Sequence, residues 1–296
     1  MTNETTGSAR PRVGLVLGGG GARGLAHIGV LRVLQRENIQ VDCVAGTSMG
    51  GLVGALYAAD VPLAKVEAEI NRLSHVTEQI RLVDVSITAA GLSVRGRRIY
   101  NFMADLLGED LTFADLRLPL AMVSVDLRTG REVVLQGGSV LDAVRATISV
   151  PGVFMPTELG DYRLVDGGVL DNVPVDVARS LGAERIIAVD VLPTFSRNLP
   201  GVEPVEPGLQ LPFAPLYLNE VYHVLMVMIA ALTENRLRQF PPDLLIRPQL
   251  PQSVTLLSGF NRSADIIAAG EAAMEAALPD IRKLLGEGET DAKETA

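Results

Sequence analysis

The sequence predicts an α/β protein with a mostly parallel central sheet, and three observations predict it. Short β-branched runs alternate with helical ones along the chain, the signature of βαβ units. Two successive apolar runs each end in a glycine-rich turn that opens a helix, as at the ligand-bearing edge of such sheets. With 296 residues and 48% hydrophobic content the chain can bury a large core.

Val13 to Leu17 reads as the first strand, followed by the loop Gly18 to Gly24 and a helix from Gly24 to Arg36. Val41 to Ala45 is the second strand; it ends in Gly46-Thr47-Ser48 and leads into a helix from Met49 to Ala59. Leu120 to Val125 and Glu132 to Leu135 are strands joined by a turn at Thr129-Gly130. Arg185 to Val191 and Leu244 to Arg247 are further strands, and Ser263 to Leu285 is a long helical stretch. Residues 60–118 mix helix and loop, and the proline-rich Leu192 to Pro215 reads as an excursion from the core. Nothing in the pattern demands a break, so residues 12–286 are expected to form one domain. A disordered lead-in over 1–11 and an acidic tail over 287–296 flank it.

A formal net charge of −9 leaves no basic stripe to neutralise phosphates, which argues against a nucleic-acid partner. The same charge disfavours docking on anionic lipid, so contact with a membrane or micelle surface would rest on apolar side chains. The one cysteine, Cys43, allows no internal disulfide and suits a reducing cytosol. Within the run Val41 to Ala45 it reads as a buried small hydrophobe. The opening MTNETTGSARPR lacks the apolar core of a signal peptide. No stretch reaches the roughly 18 uncharged apolar residues of a membrane span. Val221 to Leu232, apolar apart from His223, comes nearest. It is expected as a buried core helix, with a lipid-touching segment as the alternative. The expectation is a cytoplasmic protein, at most peripheral to a membrane.

Chemistry enters at the glycine loop Gly18-Gly19-Gly20-Gly21-Ala22-Arg23-Gly24. Lacking Cβ, its backbone can bring N–H groups against a ligand, and the helix behind it adds a positive N-terminal end. The loop is therefore an anion site. Gly19-x-Gly21-x-x-Gly24 also fits a dinucleotide fingerprint. That reading wants an acidic residue at the end of the second strand, whereas Asp42 stands at its beginning. No Lys-Ser/Thr closes the loop, so a P-loop is excluded.

Gly46-Thr47-Ser48-Met49-Gly50 follows an apolar strand and precedes a helix, the context of a nucleophile elbow. Ser48 then sits at a helix N-terminus, where the dipole favours a developing alkoxide. The competing explanation is a helix cap supplied by Thr47 or Ser48. A base is needed, and the three histidines are poorly placed. His27 falls in the first helix and is expected to pack or satisfy a backbone group; His75 lies in an amphipathic polar stretch. His223 follows the serine in the expected order but has no strand-end context. Asp166 in Leu164-Val165-Asp166-Gly167-Gly168 is the better partner: an apolar run delivers it to a strand end, and two glycines clear the space around it. Desolvation would raise its pKa from about 3.9 toward a useful range, which permits a direct Ser–Asp dyad. Asp126, before a hairpin turn, is the rival carboxylate, and a simple turn is the plain explanation of Asp166-Gly167-Gly168.

These motifs together resemble the patatin-like phospholipase family, in its bacterial branch related to the neuropathy target esterase catalytic domain. The resemblance rests on Gly19-Gly20-Gly21-Ala22-Arg23-Gly24, Gly46-Thr47-Ser48-Met49-Gly50 and Asp166-Gly167-Gly168, in that order. Leu25 to Leu31, Arg145 to Phe154 and Asp171-Asn172-Val173-Pro174-Val175 support it, and it covers residues 12–191. It implies a three-layer α/β/α sandwich, with Ser48 as nucleophile and Asp166 as its base. It implies an oxyanion hole from amides around Gly19, Gly20 and Gly21, with Arg23 holding the loop's place. Many members carry Asp-Gly-Ala where this chain has Asp-Gly-Gly. The implied activity is hydrolysis of fatty-acyl esters of lipids without a metal or cofactor. Two other readings stand beside it, a nucleotide-binding protein using the glycine loop and a catalytically silent protein on the same fold.

Overall fold

The computed structural model describes residues 10–73, 85–88, 91–94, 96–192, 216–251, 253–255 and 258–286. The chain opens with β1 (Val13–Leu17), α1 (Ala26–Arg36), β2 (Cys43–Thr47), α2 (Met49–Ala58) and α3 (Leu63–Leu73). A small hairpin, β3 (Val85–Thr88) and β4 (Gly91–Val94), and α4 (Arg97–Leu107) follow. Next come β5 (Leu120–Asp126), β6 (Arg131–Leu135), α5 (Val140–Thr147), β7 (Thr157–Leu159) and β8 (Tyr162–Asp166). The last part is α6 (Val175–Ser180), β9 (Arg185–Val189), α7 (Leu216–Gln239), β10 (Leu244–Ile246) and α8 (Ser263–Leu285).

Eight strands form one sheet in the order β10-β9-β1-β2-β5-β8-β7, with β6 also paired to β5. The run from β10 to β5 is parallel throughout; β6, β7 and β8 are joined antiparallel. The parallel strands β1, β2 and β5 are buried on both faces, as strands inside a parallel sheet are. Leu15 and Leu17 belong to one core with Ile28, Leu31 and Leu34 of α1 and Ile266 and Met274 of α8. Val16, Cys43 and Ala45 point the other way, into a second core with Val177 and Ala178 of α6 and Leu237 of α7. Helices on both faces make the three-layer α/β/α arrangement.

Strand ends differ from the sequence reading for local reasons. β2 begins at Cys43 rather than Val41 and runs on to Thr47, because Gly46 and Thr47 still pair with Met122 and Val123 of β5. β9 stops at Val189; the Asp190 amide still donates to the Ile246 carbonyl of β10 at 3.0 Å, and its carboxylate accepts from the Leu192 amide at 3.0 Å and from Arg247 at 3.0 Å. The first helix starts at Ala26, after a 3₁₀ turn over Gly21–Leu25 closed by the Arg23 amide on the Gly20 carbonyl at 3.1 Å. Within 60–118 the hairpin β3–β4 is an addition to the helices and loops expected there. Cys43 is buried and free. Most of the expected lead-in, the C-terminal tail, His75 and residues 193–215 of the proline-rich segment lie outside the described residues. Arg10, the first described residue, already pairs with Asp42 at 2.7 Å. Among the described residues no helix is long and apolar enough to cross a membrane.

Candidate active site

The register of β5 assembles the site. On one edge of β5, Val134 and Val133 of β6 pair with Val123 and Ser124. On the other edge Thr47 of β2 pairs with Val123, and Asp166 of β8 pairs with Ser124. β2 and β8 therefore share that edge end to end and run toward each other. Ser48, one residue past β2, and Asp166, the last residue of β8, meet where the two strands stop.

Ser48 has φ 55° and ψ −125°, a left-handed conformation unusual for a non-glycine residue. Its amide donates to Thr147 Oγ1 at 2.8 Å, and that hydroxyl donates onward to the Val123 carbonyl at 2.5 Å. The strained turn is thus anchored to β5 through α5. α2 leaves the turn so close to β1 that a Cβ on Gly50 would stand 2.0 Å from the Leu17 carbonyl oxygen. Gly46 faces the Gly50 carbonyl across the same turn, and the Met49 side chain covers Gly24. The capping explanation does not hold: Ser48 makes no side-chain cap bond to α2. Thr47 instead donates its hydroxyl to the Asp171 carbonyl at 2.9 Å.

Asp166 is buried, with 6% of its surface exposed. Its carboxylate accepts from the Gly168 amide at 2.8 Å, and the Ser48 hydroxyl stands beside it at the end of β2. Loss of water pushes its pKa up to about 6, against the opposing pull of the Ser48 hydroxyl and the Gly168 amide. Asp166 also caps the 3₁₀ turn Gly167–Val169, so the turn explanation is true without being the whole account. Gly167 lies against the Val123 carbonyl, which leaves no room for a side chain. Asp126 is occupied elsewhere. It accepts from the amides of Arg163, Arg128 and Thr129 and from the Thr129 hydroxyl, which hold its pKa below the usual carboxylate value.

The glycine loop faces this pair. A Cβ on Gly19 would fall 3.0 Å from Ser48 Cβ and 2.6 Å from Asn172 Oδ1. The Gly19 amide donates to the Asn172 carbonyl at 3.1 Å, while Asn172 Nδ2 donates to the Gly19 carbonyl at 3.2 Å. The expectation of an oxyanion amide from Gly19 meets a competing bond there, since that amide is already committed to the Asn172 carbonyl. Neither the Gly20 nor the Gly21 amide has an acceptor among the described residues. Arg23 is buried and grips backbone, with Nε on the Val191 carbonyl at 2.6 Å and Nη1 on the Val254 carbonyl at 3.2 Å. Burial brings its pKa down to about 10, which leaves it charged.

His27 is fully buried and binds the Gly18 carbonyl through Nε2 at 2.7 Å. Desolvation lowers its pKa to about 4, so it is neutral and supports the loop from behind. His223 lies in α7. Asp42, the acidic residue a dinucleotide reading would require, sits at the opposite end of β2, bound to Arg10 and the Val13 amide. Two supports were not singled out from the sequence, Thr147 and Asn172. Both fall in stretches that carry the family resemblance, yet their partners lie 99 and 153 residues away. Only the assembled sheet reveals those pairings.

The family model described as patatin-like phospholipase matches residues 15–179. An uncharacterized NTE family protein of Mycobacterium tuberculosis is 37% identical over 187 residues, which are 62% of this chain and 50% of that protein. Patatin-like phospholipase domain-containing protein 6 of Homo sapiens is 33% identical over 198 residues, 64% of this chain and 14% of that protein. Neuropathy target esterase of Drosophila melanogaster is 35% identical over 183 residues, 60% of this chain and 13% of that protein. The chain thus spans half the length of the mycobacterial relative and a smaller share of the animal ones. VipD from Legionella pneumophila shares the fold, with a TM-score of 0.52 at 13% identity over 92% of this chain and 67% of that one.

Proposed function

The chain belongs to the patatin-like phospholipase family, and on that premise we propose that it is a serine acyl hydrolase cleaving fatty-acyl esters of lipids. The observation that carries this reading is the meeting of Ser48 and the buried Asp166 carboxylate at the facing ends of β2 and β8, with burial raising the Asp166 pKa to about 6. A carboxylate of that basicity, ionised at neutral pH, is a better proton acceptor than a solvated one.

Asp166 takes the Ser48 proton as Oγ attacks the ester carbonyl. The Gly20 and Gly21 amides, with the positive end of the helical segment behind them, stabilise the oxyanion. Collapse of the tetrahedral intermediate expels the alcohol, which takes the proton from Asp166 and leaves an acyl-serine. Water then gives a proton to Asp166 and attacks the acyl carbonyl. Ser48 leaves with that proton, and the fatty acid is released.

Turnover of a short-chain nitrophenyl ester tests the dyad. Well-folded Ser48→Ala and Asp166→Asn should each lose roughly 10³-fold or more in kcat. Wild-type turnover in either variant would remove that residue from the mechanism. A comparable loss in well-folded His223→Ala would replace the dyad with a triad.

A further inference from the structure

Between Val221 and Thr233 helix α7 carries apolar side chains on two opposite faces, which an ordinary surface helix does not. Its inner face buries Met226, Ile229, Thr233 and Leu237. The opposite face exposes Val221 (60%), Val224 (57%), Val227 (44%), Met228 (55%) and Leu232 (37%). Ala231 is exposed among them. At helical spacing these side chains form one stripe, followed on its C-terminal side by the polar Asn235, Arg238 and Gln239. From Val221 to Thr233 there is no Asp, Glu, Lys or Arg. The sequence expectation of a core helix therefore holds for one face alone. A contiguous apolar stripe on the other face marks an interaction surface.

The stripe lies beside the candidate active site. Met226 and Ile229 pack on Leu192. The neighbouring Val191 lies against Gly20 and accepts from Arg23. Farther along the helix, Arg236 binds Asp171, whose carbonyl holds the Thr47 hydroxyl next to Ser48. One helix diameter, about 10 Å, thus separates the stripe from the residues that flank the glycine loop. The helix is not long and apolar enough to cross a bilayer, so a lipid-bound α7 would lie along the surface. With a net charge of −9 and no basic side chain in the stripe, attraction to anionic headgroups is missing. A charge-neutral, zwitterionic surface is what such a stripe complements.

We propose that the stripe Val221, Val224, Val227, Met228 and Leu232 seats the protein on a zwitterionic phospholipid surface and holds Ser48 beside it. The proposal rests on the reading of the site as a lipid acyl hydrolase, and its test separates the two. The whole chain and a Val224→Glu/Met228→Glu variant are floated with phosphatidylcholine vesicles, with and without phosphatidylserine. Their turnover of a soluble short-chain ester and their oligomeric state are measured alongside. The expected result is binding of the wild type to phosphatidylcholine alone. The variant should lose roughly 10-fold or more of that binding while its soluble-ester turnover stays unchanged. Ser48→Ala should bind vesicles as the wild type does. Vesicle binding without ester turnover in the wild type would overturn the hydrolase reading and leave the docking surface standing. The docking proposal falls if the wild type ignores phosphatidylcholine, binds only when phosphatidylserine is present, or binds equally well as the double variant. It also falls if the double variant dissociates a dimer, which would assign the stripe to a second copy. A lower Tm together with lost ester turnover would assign it to internal packing, and that result too overturns the proposal.

Discussion

Ser48 sits at φ 55°, a conformation worth about 1–3 kcal/mol of strain, which persists because its surroundings over-determine it. Thr147 holds its amide, and the contact of Gly50 with the Leu17 carbonyl leaves α2 no other path. Asp166 stores free energy differently, as a carboxylate kept from water. Its folded pKa of about 6 lies above the ordinary value of about 3.9, so the folded state binds more protons between those limits. Two expectations follow from that sign. kcat/KM for a neutral ester should rise with pH through an apparent pKa of about 6 and level off above it, since only ionised Asp166 accepts the serine proton. Asp166→Asn, while inactive, should be more stable than wild type by about 1–2 kcal/mol near pH 8. That gain should shrink as pH falls below about 6 and be gone by about pH 3, where both states carry the proton, and denaturant titration at the two pH values reads it. The sequence named Ser48 and Asp166 because small neighbours and strand ends are visible in it. It could not reveal that the Gly19 amide is already taken, because its acceptor, Asn172, is brought there by a distant turn.

At the scale of elements, β5 is the rail on which the site is set, with β2 and β8 butted against one edge. The sequence supports the parallel neighbours through their apolar runs and glycine turns. The antiparallel return of β8 was hidden, because its outer residues Tyr162 and Arg163 are exposed and its apolar run is short. Helix α7 is tied to the same region by Arg236, which reaches Asp171 at 2.7 Å, Asp176 at 3.0 Å and Glu132 at 3.4 Å. Asp171 is fully buried, and desolvation drives its pKa up to about 7 in spite of the arginine. Glu132 and Asp176 push it the same way. Removing the cation leaves that carboxylate without its counter-charge, so Arg236→Ala should cost about 3 kcal/mol near pH 8. The loss should diminish below about pH 7, where Asp171 can take up a proton, and unfolding at the two pH values measures it. An equal loss at both would show that Arg236 acts through packing.

Taken as a molecule, the chain completes its sheet and its core with elements from beyond the family match. The match ends at residue 179, yet β9 pairs along the whole of β1 and its Val189 carbonyl holds the Gly18 amide. α8 completes the core over α1. The overall α/β plan was legible because hydrophobic periodicity and glycine turns are local signals. The partnership of Arg236 with Asp171 and the exposed face of α7 were not legible, because burial on one side of an uncharged apolar stretch such as Val221 to Leu232 depends on what packs there. The central claim is that this assembly activates one serine, and covalent labelling of the intact protein tests it most directly. Incubation with a fluorophosphonate followed by intact-mass measurement should give a single adduct, mapped to Ser48 and absent from Ser48→Ala. A well-folded wild-type chain that takes up no label, or takes it at another residue, would contradict the account.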